Sequence, residues 1–88
     1  MWLFGRSIDH SLLMKVKSEL DIKVGNEIRR VRMQQNRSQE DFADDCGINR
    51  SYMGNIERGE KAISIDMAKR VTTGLGIKLW QLFSEIDE

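Results

Sequence analysis

The stretch from Gln39 to Arg58 constrains the fold of this chain most, because it has the pattern of two short helices joined at a glycine. Its apolar residues recur at helical spacing on both sides of Gly47, as in helices that each bury one stripe. Ser38 is placed to cap the first helix and Asn49 the second. Gly47 suits the left-handed residue that ends a helix, since it has no side chain. The stretch therefore predicts a compact pair of crossing helices.

Helical patterns also precede this pair. The spacing predicts a helix over Asp21–Gln35, with Asp21 as its N-cap and Asn36 in the left-handed closing position. Residues 1–20 are predicted to be an N-terminal extension, either a short amphipathic helix or a frayed leader, and residues 21–88 the folded domain. The extension carries apolar residues at four-residue steps, namely Ile8, Leu12, Val16 and Leu20.

Two more helices are expected after the pair. Gly59 is placed to stop the preceding helix, and Ser64 to cap the fourth helix, which Gly76 ends. A fifth helix is predicted over residues 78–86, with Leu79, Leu82, Phe83 and Ile86 on one side. The inward residues predicted for the fourth helix are Ile65, Ala68, Val71, Thr72 and Leu75.

Composition supports an all-α protein with one domain. The chain has 88 residues and no proline, and 32% of its residues are charged. The lone Cys46 and the lone His10 predict neither a disulfide nor a metal site, and no cofactor is expected. No apolar run is long enough for a membrane span, so we expect no membrane association and a cytoplasmic location.

The second helix of the pair leaves a polar set facing outward, concentrated at its N-terminal end. A helix of this kind, presented by a compact scaffold, fits the major groove of DNA. The stretch resembles the helix-turn-helix of the lambdoid phage repressor and Cro family, also called the XRE family. The resemblance spans roughly residues 24–83 and rests on S-Q-E-D-F-A (38–43), Gly47, I-E-R-G (56–59) and L-G-I (75–77). It implies a five-helix, lambda-repressor-like DNA-binding fold.

The outward residues are candidates for reading bases. Arg50 can grip guanine O6 and N7 with two hydrogen bonds, and Asn55 has the donor and acceptor pair that suits adenine. Ser51 could contact a base edge or a phosphate, and Tyr52 the backbone or a thymine methyl. Gly54 is either a site of close approach or a merely tolerated glycine.

Four residues are candidates for contacts to the DNA backbone. The family resemblance assigns Gln39, at the start of the first motif helix, to a phosphate, in agreement with the attraction of helix N-termini for anions. Arg37 stands where the family usually has an apolar residue, and it could reach a phosphate over the edge of the core. Arg58 and Lys61 lie at and beyond the end of the second helix.

The resemblance also implies a structural ion pair and a dimer. Arg32 and Glu57 match an internal arginine and glutamate pair of the family. Trp80 stands where the family usually has a polar residue, which indicates contact with another chain, and the expected interface is Trp80, Phe83 and Ile86. The alternative is that Trp80 folds back onto Trp2 or Phe4.

These patterns predict a homodimeric, sequence-specific transcriptional regulator that binds a palindromic operator in double-stranded DNA, and not an enzyme. The run from Arg50 to Gly59 also looks like the controller proteins of restriction-modification systems. The alternative is an antitoxin or a protein-interaction adaptor on the same fold, with a toxin or polymerase as a possible partner. The 14 basic and 14 acidic residues cancel, which argues against indiscriminate nucleic-acid binding.

Overall fold

The computed structural model describes residues 10–86, with side chains from Glu19 onward. Within this part of the chain there are five helices and no strands, so the predicted all-α, five-helix architecture is confirmed. Helices α2 and α3 are the predicted pair, and α1 packs against α3. The helices are α1 (His10–Gln34), α2 (Gln39–Cys46), α3 (Arg50–Glu57), α4 (Ile65–Leu75) and α5 (Leu79–Ser84).

The predicted caps of the helix pair are present. Ser38 Oγ accepts a hydrogen bond from the Asp41 N–H at 3.0 Å. Asn49 Oδ1 accepts from the N–H groups of Ser51 and Tyr52 at 2.8 and 3.3 Å. Gly47, between the two helices, is left-handed with φ 69°. The caps satisfy amides that a helix start otherwise leaves unpaired, which fixes where each helix begins.

Other boundaries agree with the sequence as well. Ser64 Oγ accepts from the Met67 N–H at 3.1 Å and starts α4. Asn36 is the non-glycine residue with positive φ, at 57°, among the residues described. It lies in the turn directly after α1, as its tolerance of this conformation predicts.

Two predictions about the helices are wrong. Asp21 is not an N-cap, because α1 begins at His10 and Asp21 lies in its interior. The residues before Asp21 are mostly good helix formers with no proline or glycine after Gly5, so nothing stops the helix there. Ile65 does not face inward: it is 70% exposed at the first position of α4, where no neighbouring helix covers it.

One core joins all five helices. Phe42, Ile28 and Met53 are fully buried in it. Each such side chain stabilises the fold by about 1.5–3 kcal/mol through burial. The other apolar side chains with less than 2% exposure are Ala43, Ile56, Ala68, Val71 and Leu82.

Helices α1 and α3 meet with almost no side chain between them. A Cβ on Gly25 of α1 would lie 2.3 Å from the Ile56 carbonyl oxygen and 2.7 Å from that of Glu57, both in α3. Only glycine fits there, so the distance between the two helices is set by backbone contact.

Among the helices of residues 10–86, none combines the length and apolar character that crossing a membrane requires.

Candidate nucleic-acid interface

The N-terminal end of α3 carries exposed polar side chains. Arg50 and Ser51 are exposed, and Asn55, one turn further along, is half-buried. Tyr52 is half-buried and packs against the core, so it lies at the edge of this face and not in its centre. The local cause is the Asn49 cap, which starts the helix immediately before Arg50.

A buried ion pair fixes α3 to α1. Arg32 donates to Glu57 through Nε at 2.8 Å and Nη2 at 2.9 Å, and through Nη1 to the Arg37 carbonyl oxygen at 2.8 Å. Arg32 is 8% exposed and Glu57 4% exposed. Two parallel hydrogen bonds between a guanidinium and a carboxylate restrict direction as well as distance. The pair therefore holds the C-terminal end of α3 in a defined orientation.

Gln39 joins α2 to the same anchor. Its Nε2 donates to Glu57 Oε1 at 3.1 Å, so the first residue of α2 is tied to the last residue of α3. The amide groups at the start of α2 remain at the edge of the polar face, where an anion would be favoured. The predicted phosphate contact at Gln39 is thus at a helix N-terminus whose position is fixed.

Arg58 lies across the end of α3. Its Nη2 donates to Asn55 Oδ1 at 2.6 Å, and its Nε contacts Glu60 Oε2 at 3.1 Å. The hydrogen bond and the charge of Glu60 raise the pKa of Arg58 above its ordinary value. The side chain of Arg58 is more than half exposed, so it remains accessible from solvent.

Arg37, a predicted phosphate contact, has partners within the protein. Its Nη1 donates to the Gly74 carbonyl oxygen at 2.6 Å, and its Nη2 pairs with Asp45 at 2.5 Å. The guanidinium also lies 4.8 Å from the centroid of the Phe42 ring. These contacts join α2 to α4, so the structure favours a structural role for Arg37.

The structure brings most of the predicted residues to one groove. A shallow cavity of about 330 Å³ lies between the start of α2 and the face of α3. Lys61 is exposed in the loop after α3 and does not line this cavity. The lining residues are Gln39, Arg50, Ser51, Gly54, Asn55 and Arg58.

The sequence analysis missed two charged residues beside this groove. Arg29 and Glu60 line an adjoining polar cavity of about 700 Å³, which also reaches Asn26, Gln39 and Arg58. The signal for Arg29 was available, because it lies three residues before Arg32 and so shares its face of α1. Glu60 lies two residues after Arg58, just beyond the helix stop Gly59, so the sequence spacing of this pair was a signal as well.

A second exposed surface is apolar. Trp80 is 67% exposed and Leu20 of α1 is 52% exposed. With Leu79, Phe83 and Ile86 they line a groove of about 780 Å³, here called the C-terminal groove. Trp2 and Phe4, the alternative partners predicted for Trp80, lie outside the described residues.

The side chains of residues 19–86 include no group of three or more histidine, cysteine or carboxylate residues that could hold a metal ion. Cys46 is buried, and burial raises the pKa of its thiol. A buried thiol with a raised pKa is a poor nucleophile at neutral pH. The chemistry that the groove offers is hydrogen bonding and charge.

The profile of the helix-turn-helix family matches residues 28–79, more than half of the chain. The chain belongs to this family. Over 72 residues it is 33% identical to the control protein C.MunI of Mycoplasma sp., a match that covers 81% of this chain and 97% of that protein. The resemblance to the XRE helix-turn-helix family seen in the sequence is confirmed.

Solved structures of family members have the same fold. The restriction-modification controller protein C.AhdI from Aeromonas hydrophila matches with a TM-score of 0.70 and 35% identity, covering 72% of this chain and 96% of that one. The restriction-modification controller protein C.Esp1396I, solved as a tetramer with its natural 35 base-pair operator, matches with a TM-score of 0.70 and 27% identity. That match covers 75% of this chain and 87% of that one.

Proposed function

We propose that this protein is a sequence-specific DNA-binding transcriptional regulator, a restriction-modification control protein that binds a palindromic operator as a homodimer. It acts by binding and not by catalysis. The observation that carries the proposal is the polar face of α3, where Arg50, Ser51 and Asn55 are accessible on a helix fixed by a buried ion pair. The control protein C.MunI and the controller protein C.AhdI support it as relatives that align over nearly their full length.

Arg50 is the principal base-reading residue in this proposal. It is the first residue of α3 and is exposed, so its guanidinium can enter the major groove ahead of the rest of the helix. A guanidinium matches the O6 and N7 acceptors of guanine with two hydrogen bonds. Ser51 lines the same groove. Tyr52 packs against the core at the edge of this face, and in this proposal it contacts a thymine methyl or the backbone.

Backbone contacts position the protein without reading sequence. Gln39 offers the N-terminal amides of α2, and Lys61 an unburied ammonium in the loop after α3. Arg29 adds a cation from α1 beside the same groove. This local concentration of cations allows the face to attract DNA although the whole chain has formal net charge +0.

The C-terminal groove is proposed as the dimer interface, with a second copy of the chain as its occupant. Exposed aromatic and aliphatic side chains of this kind are typical of the buried centre of a protein interface. A two-fold dimer can place two recognition helices in successive major grooves, about 34 Å apart, which requires a roughly palindromic operator. The tetramer of C.Esp1396I on its operator supports assembly on DNA.

Regulation then follows from where the operator lies relative to a promoter. A dimer bound over the promoter blocks polymerase, and one bound beside it can assist polymerase. This proposal places the protein with the DNA in the cytoplasm.

The proposal is tested by selecting bound sequences from a random pool of DNA duplexes and measuring affinity for the selected site. Arg50→Ala should lower specific affinity by about 1–3 kcal/mol, because one bidentate base contact is lost. The melting temperature should stay unchanged, since Arg50 is exposed. Fluorescence anisotropy and thermal denaturation measure the two quantities.

Lys69→Ala is the matched control for this variant. Lys69 is an exposed cation of α4 that does not line the groove, so its loss removes one charge without removing a base contact. Affinity for the selected site should change little in this control. Equal losses in Arg50→Ala and Lys69→Ala would contradict base reading by Arg50.

A further inference from the structure

We infer that Arg58 and Glu60 set the base preference of Asn55, so that Asn55 reads guanine and not adenine at its position in the operator. The inference rests on the proposed function, because it concerns the α3 face that the DNA contacts. It also replaces the adenine preference expected for Asn55 from its residue type alone.

The orientation of the Asn55 amide follows from its contact with Arg58. Arg58 Nη2 donates to Asn55 Oδ1 at 2.6 Å. A guanidinium has only donors, so the amide atom that faces it has to be the oxygen. The Nδ2 group of Asn55, with its two N–H donors, therefore points away from Arg58.

Glu60 and Gly54 hold Arg58 in this place. Glu60 Oε2 lies 3.1 Å from Arg58 Nε, and Glu60 Oε1 accepts from Nη2 at 3.2 Å, so the carboxylate grips one edge of the guanidinium. Gly54 leaves room for the guanidinium against the helix, since a Cβ there would lie 3.0 Å from Nη1. Each of these exposed contacts would be weak alone, but the Arg58 guanidinium makes contacts to Asn55 and Glu60 at the same time.

The held arginine changes what Asn55 can offer to a base. Adenine recognition needs the amide oxygen to accept from N6 while the amide nitrogen donates to N7. Here the oxygen already faces a cation, which repels the positively polarised N6 hydrogens. Guanine presents two acceptors, O6 and N7, and these match the two free donors of Nδ2.

Glu60 has a second effect on binding. While its carboxylate holds Arg58, the guanidinium is not free to neutralise a phosphate. Removing the charge of Glu60 should release Arg58 to the DNA backbone, which strengthens binding that is independent of sequence and raises the salt dependence. Glu60 is thus a positioning residue that limits general affinity in favour of base selection.

The experiment compares sequences selected from a random duplex pool by the full-length wild-type protein and by Asn55→Ala, Arg58→Ala and Glu60→Gln. One operator position should depend on Asn55, with guanine preferred over adenine roughly 5- to 150-fold in the wild type and this preference lost in Asn55→Ala. In Arg58→Ala the amide is free to turn, and the preference at that position should move towards adenine. In Glu60→Gln the guanine preference should fall by roughly fivefold or more, while the slope of log affinity against log salt steepens by about one.

Glu27→Gln is the matched control. Glu27 pairs with Arg30 on α1 much as Glu60 pairs with Arg58, and it lies beside the C-terminal residues Glu85 and Ile86. The control makes the same change in net charge, so it should raise general affinity slightly and leave base preference unaltered. Equal effects of Glu27→Gln and Glu60→Gln on base selection would overturn the inference.

The outcomes separate the inference from the proposed function. If the wild type selects a sequence and the position lost in Asn55→Ala is adenine, the inference is wrong and the proposed function stands. If Glu60→Gln leaves both base preference and salt slope unchanged, the inference is also wrong. If the wild type selects no sequence, the proposed function itself fails. Circular dichroism checks that each variant is folded.

Discussion

The face of α3 and the C-terminal groove are both exposed, but different interactions hold them in place. The α3 face is anchored by charge: Arg32 and Glu57 are buried with two short hydrogen bonds between them. The C-terminal groove is held in place by apolar packing. Leu82 is fully buried in the core, and Trp80 lies on the outer side of the same short helix. A surface that reads bases needs fixed directions, which paired hydrogen bonds supply, whereas an apolar surface needs mainly contact area.

The largest expected effect is on the charged anchor. Arg32→Ala should destabilise the fold by about 3–5 kcal/mol, because it leaves the Glu57 carboxylate buried without its partner. Urea denaturation measures the loss. Arg30→Ala, which breaks the exposed pair with Glu27, is the control and should cost much less, because solvent screens an exposed pair. Similar costs for the two variants would show that burial does not distinguish these pairs.

An intermediate effect is expected where α1 and α3 touch. In Gly25→Ala the new Cβ would lie 2.3 Å from the Ile56 carbonyl oxygen, so the two helices have to move apart. We expect a loss of about 1–3 kcal/mol in the free energy of unfolding, measured by urea denaturation, together with weaker DNA binding.

The neighbouring Asn26→Ala is its control. Asn26 is exposed, and alanine has the higher helix propensity, so stability should hold or rise slightly. A gain in stability from Gly25→Ala as well would mean that the helices do not meet as the structure places them.

A substitution in the C-terminal groove is expected to have the smallest effect on the free energy of unfolding and a direct effect on dimer formation. Trp80→Ala should raise the dimer dissociation constant about tenfold or more, equivalent to about 1.4 kcal/mol, with little change in protomer stability. Sedimentation equilibrium measures it. Ile65→Ala removes an exposed apolar side chain outside the groove and should leave the dimer unaltered. An unchanged dimer in Trp80→Ala would remove Trp80 from the interface.

Local signals in the sequence predicted most of the helix boundaries. Ser38, Asn49 and Ser64 cap helices as expected, because a capping hydrogen bond joins residues two or three positions apart and depends on little else. The same reasoning failed at Asp21, where a residue able to cap lies inside a helix that nothing before it interrupts. A capping residue starts a helix only where the residues before it are not already helical.

The contacts of the candidate site were harder to predict. Arg37 was expected at a phosphate, but its guanidinium lies between Asp45 and the Gly74 carbonyl oxygen, which are distant from one another in the chain. The contact between Glu60 and Arg58 is local, since the two residues are two positions apart, and it depends on the side-chain directions set by the turn at Gly59. Residue type showed what these side chains can bind, but not which partner is within reach.

The sequence by itself determined the helix-turn-helix fold, its capping residues and the polar character of the α3 face, because helical period and caps act over a few residues. The Arg32–Glu57 pair was expected from family resemblance, and the structure contains it. Only the tertiary structure decided that Gly25 sets the approach of α1 to α3 and that Arg37 lies between Asp45 and the Gly74 carbonyl oxygen. Such contacts depend on distances between separate elements, and those distances exist only after the core has packed.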